Sequence, residues 1–208
     1  DARADGVATD MQATGRTVLA EAQRLERLIG DLLALARLEA EDFRLERRSV
    51  DLGEIGRQAA EAWQPRCAVA KVHFALQQEP GPIPVWTDPA RIRQVIDALV
   101  DNALRVTPAG GQVVLAVRRT PEGAVLEVRD SGPGLSDVDL PVAFERSRLH
   151  ERYRGERGGS AGIGLALVDR LTTRLGGRAR AGHAPEGGAL FAVDLPELSP
   201  GSPSGNRD

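Results

Sequence analysis

The sequence predicts an α+β fold: a two-layer α/β sandwich, with helices gathered on one side of a sheet and a long helix in front of it. Three observations predict this. Residues 16–41 carry a seven-residue apolar repeat. Later segments combine helical periodicity with helix-boundary residues, as in the run from Asp88 to Thr107 and in "GLALVDRLTTRLGG". Between them lie alternating or continuously apolar runs, bounded by turn residues, that read as strands.

The first element is the helix over 16–41. Val18, Leu25 and Leu32 recur every seven residues with Leu28 and Leu35 between them, while Glu21, Arg24, Arg27 and Asp31 fill other faces. Such a seam needs a partner helix, and a helical dimer interface is preferred to packing on the chain's own domain. Residues 42–49 read as a connector. A second helix starts near Asp51, an N-cap, with Glu54 three residues on for a capping box and Val50 and Ile55 placed as a hydrophobic staple. "KVHFALQ" alternates as a strand. In "VWTDPARIRQVIDALVDNALRVT", Asp88 is the N-cap and Pro89 the first helical residue. Ile92, Val95, Ile96, Leu99, Val100 and Ala103 give that helix its apolar face.

After "PAGG" come the strands "QVVLAVRR" and "AVLEVRD", joined by a "TPEG" turn, and then a long irregular run over 131–161, rich in Gly and Arg. The helix "GLALVDRLTTRLGG" ends at Gly176-Gly177, where glycine permits the left-handed turn that stops a helix. The strands "RARAG" and "ALFAVDLP" close the domain. The tail over 197–208, rich in Pro, Ser and Gly, is expected to be disordered.

Composition narrows the function classes. With 208 residues, 41% hydrophobic, 27% charged and a net charge of −3, the chain reads as a soluble globular protein of one or two domains. That balance gives no case for nucleic acid or an anionic membrane as partner. Lys71 is the only lysine; the remaining basic charge is Arg, the better side chain for forked phosphate contacts. Cys67 stands alone, which excludes an intrachain disulfide and a cysteine metal site and fits a reducing, cytosolic compartment. No stretch approaches the ~18 apolar residues of a membrane span, and no signal peptide is present. The chain does not begin with Met, so it is expected to be a fragment of something longer whose own anchor stays open.

Four short motifs follow one another. "DNALRVTP" places Asn102 on a helix; "DSGPG" places Asp130, Gly132 and Gly134 after a strand; "AFERS" carries Phe144; "GGSAGIGLAL" carries Gly158, Gly159, Gly162, Ile163, Gly164 and Leu165 into the next helix. Alone, "DSGPG" is ordinary turn chemistry. In this order, preceded by "DLLALARLE", which looks like the end of a second dimerisation helix, the four resemble the N, G1, F and G2 boxes of the sensor histidine kinases of two-component systems. The ATP-binding domain of those kinases belongs to the wider family shared with gyrase, the Hsp90 chaperones and MutL. The resemblance covers roughly residues 16–196.

It implies a Bergerat-type ATP-binding fold, with a partial dimerisation region over 1–48, the catalytic domain over 49–196 and the tail over 197–208. It implies transfer of the ATP γ-phosphoryl group to a His, for relay to an Asp of a response regulator. Asn102 would hold Mg²⁺, for which a neutral hard oxygen is suited, and Arg105 is the basic residue usual beside it. Asp130 would accept from the adenine amine, a charge-assisted bond of roughly 1.5–3 kcal/mol that rejects the guanine carbonyl. Gly132 and Gly134 would leave room for the base, with Phe144 nearby. Gly158, Gly159, Gly162, Ile163, Gly164 and Leu165 would present backbone N–H groups to the phosphates. Residues 144–161 become a lid, decorated by Arg146, Arg148, Arg152, Arg154 and Arg157. Such parts supply the positioning and charge that phosphoryl transfer requires. The parent protein would be a homodimer through its N-terminal helix and the cytosolic portion of a membrane sensor, and its fragment would touch neither membrane nor nucleic acid.

Departures matter. Ala98, one turn before Asn102, stands where hydrolytic relatives carry a general-base Glu and histidine kinases usually an Asn; without a base, hydrolysis should be slow. Val106 replaces a residue that is often His or Tyr. The phosphoacceptor His motif is missing, so the acceptor is expected on a truncated segment or a separate chain. Of the three histidines, His73 falls in a strand, His183 in a turn before "APEGG", and His150 in the lid. The competing readings are a gyrase- or Hsp90-type ATPase, a serine-kinase anti-sigma factor and a degenerate nucleotide-binding scaffold. No P-loop, no eukaryotic-kinase "HRD" or "DFG" motif and no His/Cys metal cluster is present.

Overall fold

The computed structural model describes residues 44–145 and 163–197, together with Gly15, Val18, Ala22, Leu25, Ile29 and Gly30. Those six scattered residues are helical, and Val18, Leu25 and Ile29 are exposed. The other seam positions Leu28, Leu32 and Leu35, the tail from 198, His150 and the five arginines of the 146–157 stretch lie outside the described residues.

The elements run β1 (Arg48–Asp51), α1 (Leu52–Val69), β2 (His73–Gln78), β3 (Pro84–Thr87), α2 (Pro89–Val106), β4 (Gln112–Thr120), β5 (Gly123–Asp130), a 3-10 turn (Leu140–Val142), α3 (Gly164–Arg174), β6 (Arg178–His183) and β7 (Ala189–Pro196). Five strands form one sheet in the order β2-β4-β5-β7-β6, with β2 and β4 parallel and the rest antiparallel. The helices cover one face, so the structure is the predicted two-layer sandwich. Leu115, Leu126, Val128 and Phe191 of the sheet meet Ile92, Ile96 and Leu99 of α2 and Leu167 and Leu171 of α3 in one apolar core. Among the described residues no helix is long and apolar enough to cross a membrane.

Two strands were not anticipated. The 42–49 connector ends in β1, which pairs antiparallel with β3 through Val50↔Val85 and its neighbours. Both strands are four residues long, too short for alternation to declare itself in sequence. His183 is the last residue of β6 rather than part of a turn, and its Nε2 lies 2.9 Å from Asp137 Oδ1.

The caps fall where the sequence places them. Asp88 is 4% exposed; one carboxylate oxygen accepts from the amides of Ala90 (3.0 Å) and Arg91 (3.2 Å), and the other from Glu46 (3.0 Å). It starts α2 and fastens the entering chain to it. Asp51 caps α1 by accepting from Gly53 (2.9 Å) and also takes the Ile83 amide (2.8 Å), which ties the loop before β3 to the helix start. The capping box itself does not form. Glu54 turns along its own helix to Arg57 (2.7 Å) and Gln58 (2.9 Å), where two side-chain donors one turn away outcompete a single backbone amide.

Asp51 yields a pH prediction. Burial pushes its carboxyl up, but the amides of Ile83 and Gly53 and the neighbouring Arg57 more than offset this and hold it below the ordinary aspartate value. A depressed folded value makes its contribution complete above the unfolded value of about 4 and lost as pH falls through the folded one. Urea-unfolding midpoints should therefore drop on acidification from about pH 6 to about pH 3, and Asp51→Asn should flatten part of that drop. An unchanged acid limb in the variant would show that Asp51 does not contribute.

Candidate functional site

Strand alternation puts Ala124, Leu126, Val128 and Asp130 of β5 on the helix-covered face, so β5 delivers a carboxylate to the edge of the core. Asp130 is 0% exposed. A carboxylate at that depth persists only with donors aimed at it. Its Oδ1 accepts from the Gly132 amide (2.8 Å) and, across the sheet, from the Ala189 amide (3.2 Å). The Gly188 amide donates to the Asp130 carbonyl at 3.1 Å. Ser131 fixes the other side of the loop: its Oγ accepts from Gln112 N (2.8 Å) while its own amide donates to Gln112 O (3.1 Å).

The glycines have separate duties. A Cβ at Gly132 would stand 2.8 Å from the Val106 carbonyl oxygen and 3.1 Å from Val106 Cγ2, so its missing side chain admits the C-terminal end of α2. Gly134 turns the chain with φ +70 beside Gly188. Gly188 has no room at all: a Cβ there would lie 2.2 Å from Asp130 Oδ1, 2.4 Å from the Asp130 carbonyl and 2.6 Å from the Gly132 amide. Among the described residues, by contrast, an added Cβ at Gly164 meets nothing within 4 Å, and no side chain caps the first N–H groups of α3.

α2 supplies the adjoining wall. Asn102 lies four residues before Val106, hence on the face that α2 turns to Gly132. It is half-buried and has no side-chain hydrogen-bond partner among the described residues. Ala98 packs against the core, and Arg105 pairs with Asp101 on its own helix. Phe144 meets Phe191 of β7 edge-to-face, with centroids 6.0 Å apart, at the same end of the sheet. Ile163 and Leu165 flank the start of α3, one buried and the other partly buried against the core. Gly158, Gly159 and Gly162 lie outside the described residues.

The structure thus gathers the end of α2 and the 130–134 loop around Asp130, with Phe144 packed on β7 beside them. Two participants escape sequence reasoning: the amides of Gly188 and Ala189. Their signal is present in "EGGALFAV", where paired glycines precede an apolar strand, but nothing in that run says which carboxylate they serve.

Chemically, the described residues of the site offer an anchored carboxylate, the Asn102 carboxamide and the start of a helix. Among the described residues no three His, Cys, Asp or Glu side chains gather as a metal cage. Asn102, a neutral oxygen donor with no side-chain partner among the described residues, is of the type that could join a magnesium ion that keeps its waters.

Comparison with known proteins gives the chain's family. Residues 87–199 match the family described as "Histidine kinase-, DNA gyrase B-, and HSP90-like ATPase". A probable sensor histidine kinase of Mycobacterium tuberculosis is 33% identical over 193 residues, covering 93% of this chain and 49% of its own length. From the same species, a sensor histidine kinase component is 40% identical over 135 residues, which is 65% of this chain and 77% of that protein. Among solved structures, full-length ShkA in complex with AMPPNP superposes with a TM-score of 0.74 at 29% identity, over 90% of this chain and 39% of that one. The chain spans about half the length of the first of these sensor kinases.

Proposed function

We infer the function from the family: the chain belongs to the histidine kinase-, DNA gyrase B- and HSP90-like ATPases, among the sensor histidine kinases. It binds ATP and transfers the γ-phosphoryl group to a histidine nitrogen supplied by another segment or chain, which passes it to an Asp of a response regulator. The observation that carries this reading is Asp130, a wholly buried carboxylate held by two backbone amides where α2 and two glycines close on it. Asp130 reads the adenine amine. The start of α3, where among the described residues nothing lies within 4 Å of a Cβ added at Gly164, receives phosphate oxygens. Asn102 contributes one oxygen to magnesium, which when bound neutralises phosphate charge. Ala98 carries no proton-accepting group, so water is not activated and transfer is favoured over hydrolysis. The helix that carries the exposed seam residues Val18 and Leu25 pairs with a second copy of the chain as a dimer.

Calorimetric titration with ATP, ADP and GTP, with and without Mg²⁺, tests the site, and a supplied acceptor helix tests the transfer. Adenine-selective binding and a phosphorylated acceptor are expected. Binding without transfer to an intact acceptor would favour a regulatory scaffold, and steady-state phosphate release well above background would favour an ATPase.

Asn102→Ala should leave the unfolding midpoint unchanged, since the side chain has no internal partner among the described residues. It should cost about tenfold in ATP affinity when Mg²⁺ is present, the scale of one lost charge-assisted contact. Without Mg²⁺ the two proteins should bind ATP alike. Equal loss in both conditions would remove Asn102 from the metal.

A further inference from the structure

We propose that Arg129 and Glu186, on the face of the sheet opposite the site, form a positioning pair that sets how strictly Asp130 selects the base; this rests on the adenine reading above. Alternation along β5 sends Arg129 and Asp130 to opposite faces. Arg129 does not reach into solvent. Its side chain is 13% exposed, and its guanidinium lies 2.6 Å from Gln77 Oε1 of β2, 3.5 Å from Glu127 Oε2 of β5 and 3.1 Å from Glu186 Oε1. Glu186 is itself 9% exposed and sits in the turn between β6 and β7. That turn also carries Gly188, whose amide meets the Asp130 carbonyl, and leads into Ala189, whose amide meets Asp130 Oδ1.

Adjacent residues of one strand therefore grip one turn from both faces of the sheet. Asp130 holds it from the helix side and Arg129 from the other. Gly188 leaves no slack, because even a Cβ there would stand 2.2 Å from Asp130 Oδ1 and 2.6 Å from the Gly132 amide. If the Glu186 anchor is released, the turn and its two amides can tilt, and the carboxylate orientation they impose tilts with them. A hydrogen bond to the base weakens steeply once its angle is lost, while contacts made by the rest of a nucleotide are untouched. The pair thus acts on base selectivity and not on phosphate binding.

The test compares ATP with purine ribonucleoside triphosphate, which lacks the 6-amino group, on the full chain by calorimetry. In the wild type, ATP should bind about tenfold more tightly. In Glu186→Ala that ratio should shrink by roughly threefold to tenfold, with the affinity for the purine triphosphate held within about twofold. Glu186→Gln keeps an oxygen for Arg129 and should restore most of the ratio. Should Glu186→Ala fail to fold, Arg129→Lys carries the same test, since one ammonium cannot span Gln77 and Glu186 together. An unchanged ratio, or equal loss for both nucleotides, would overturn the positioning role alone. A wild-type chain with no preference for ATP would overturn the adenine reading and this inference with it.

Discussion

Gly188→Ala is expected to lower stability by roughly 2–4 kcal/mol and to remove nucleotide binding with it. The methyl group would enter space that is already filled, 2.2 Å from Asp130 Oδ1 and 2.6 Å from the Gly132 amide. Asp130 Oδ1 is held by the Gly132 and Ala189 amides, and the Asp130 carbonyl, 2.4 Å away, and the Gly132 amide are backbone. Both belong to the 130–132 loop, which Ser131 pins to β4, so relief requires the β6–β7 turn to back away from β5. That movement breaks the amide contacts from Gly188 and Ala189 and leaves a buried carboxylate short of donors. The neighbouring glycine supplies the control. Gly187 has φ +100 and open space around its Cα, so Gly187→Ala meets backbone strain alone, about 1–2 kcal/mol, and should bind ATP normally once folded. Urea unfolding and calorimetry on the two variants separate the effects. Equal behaviour would mean that the packing of Gly188 against Asp130 is not what holds the site.

Much of this was legible because the informative features are local. Asp88 followed by Pro89, the broad apolar face from Ile92 to Ala103 and the strands flanking "TPEG" each depend on a few neighbouring residues, and each stands where expected. The four motifs are local in the same way, and the structure brings the end of α2 against the 130–132 segment. Long-range relations were the illegible part. β1 and β3 exist because they pair with each other, and four residues alone do not announce that. Glu54 was expected to cap its helix, but a choice among three donors is settled by geometry that spacing does not encode. That Gly132 also lets the end of α2 approach, with a Cβ there 2.8 Å from the Val106 carbonyl, is not written in "DSGPG". The pairing of Gly188 and Ala189 with Asp130 spans almost sixty residues and becomes visible only once β5 and β7 lie side by side.

Asp130→Asn should cost about tenfold to a hundredfold in ATP affinity while leaving the fold in place, the scale of one charge-assisted bond exchanged for a mismatch. The amide oxygen can still accept from Gly132 and Ala189, so the junction of β5 with β7 keeps its two donors' partner. What changes is the chemistry offered to a base. A carboxylate is an acceptor only; a carboxamide brings an NH₂ group. Against the adenine amine, that places donor against donor. Against the carbonyl of hypoxanthine or guanine, it places donor against acceptor, so the ATP:ITP affinity ratio should fall further than ATP affinity alone requires. Asp130→Ala is the poorer variant, because it strands two buried amides at about 1–3 kcal/mol each and confounds binding with stability. An Asn variant that binds ATP as tightly as the wild type would remove Asp130 from base recognition, whatever the phosphates do at α3. An Asn variant whose preference shifts toward the 6-keto base would fix both the residue and the edge of the base that it reads.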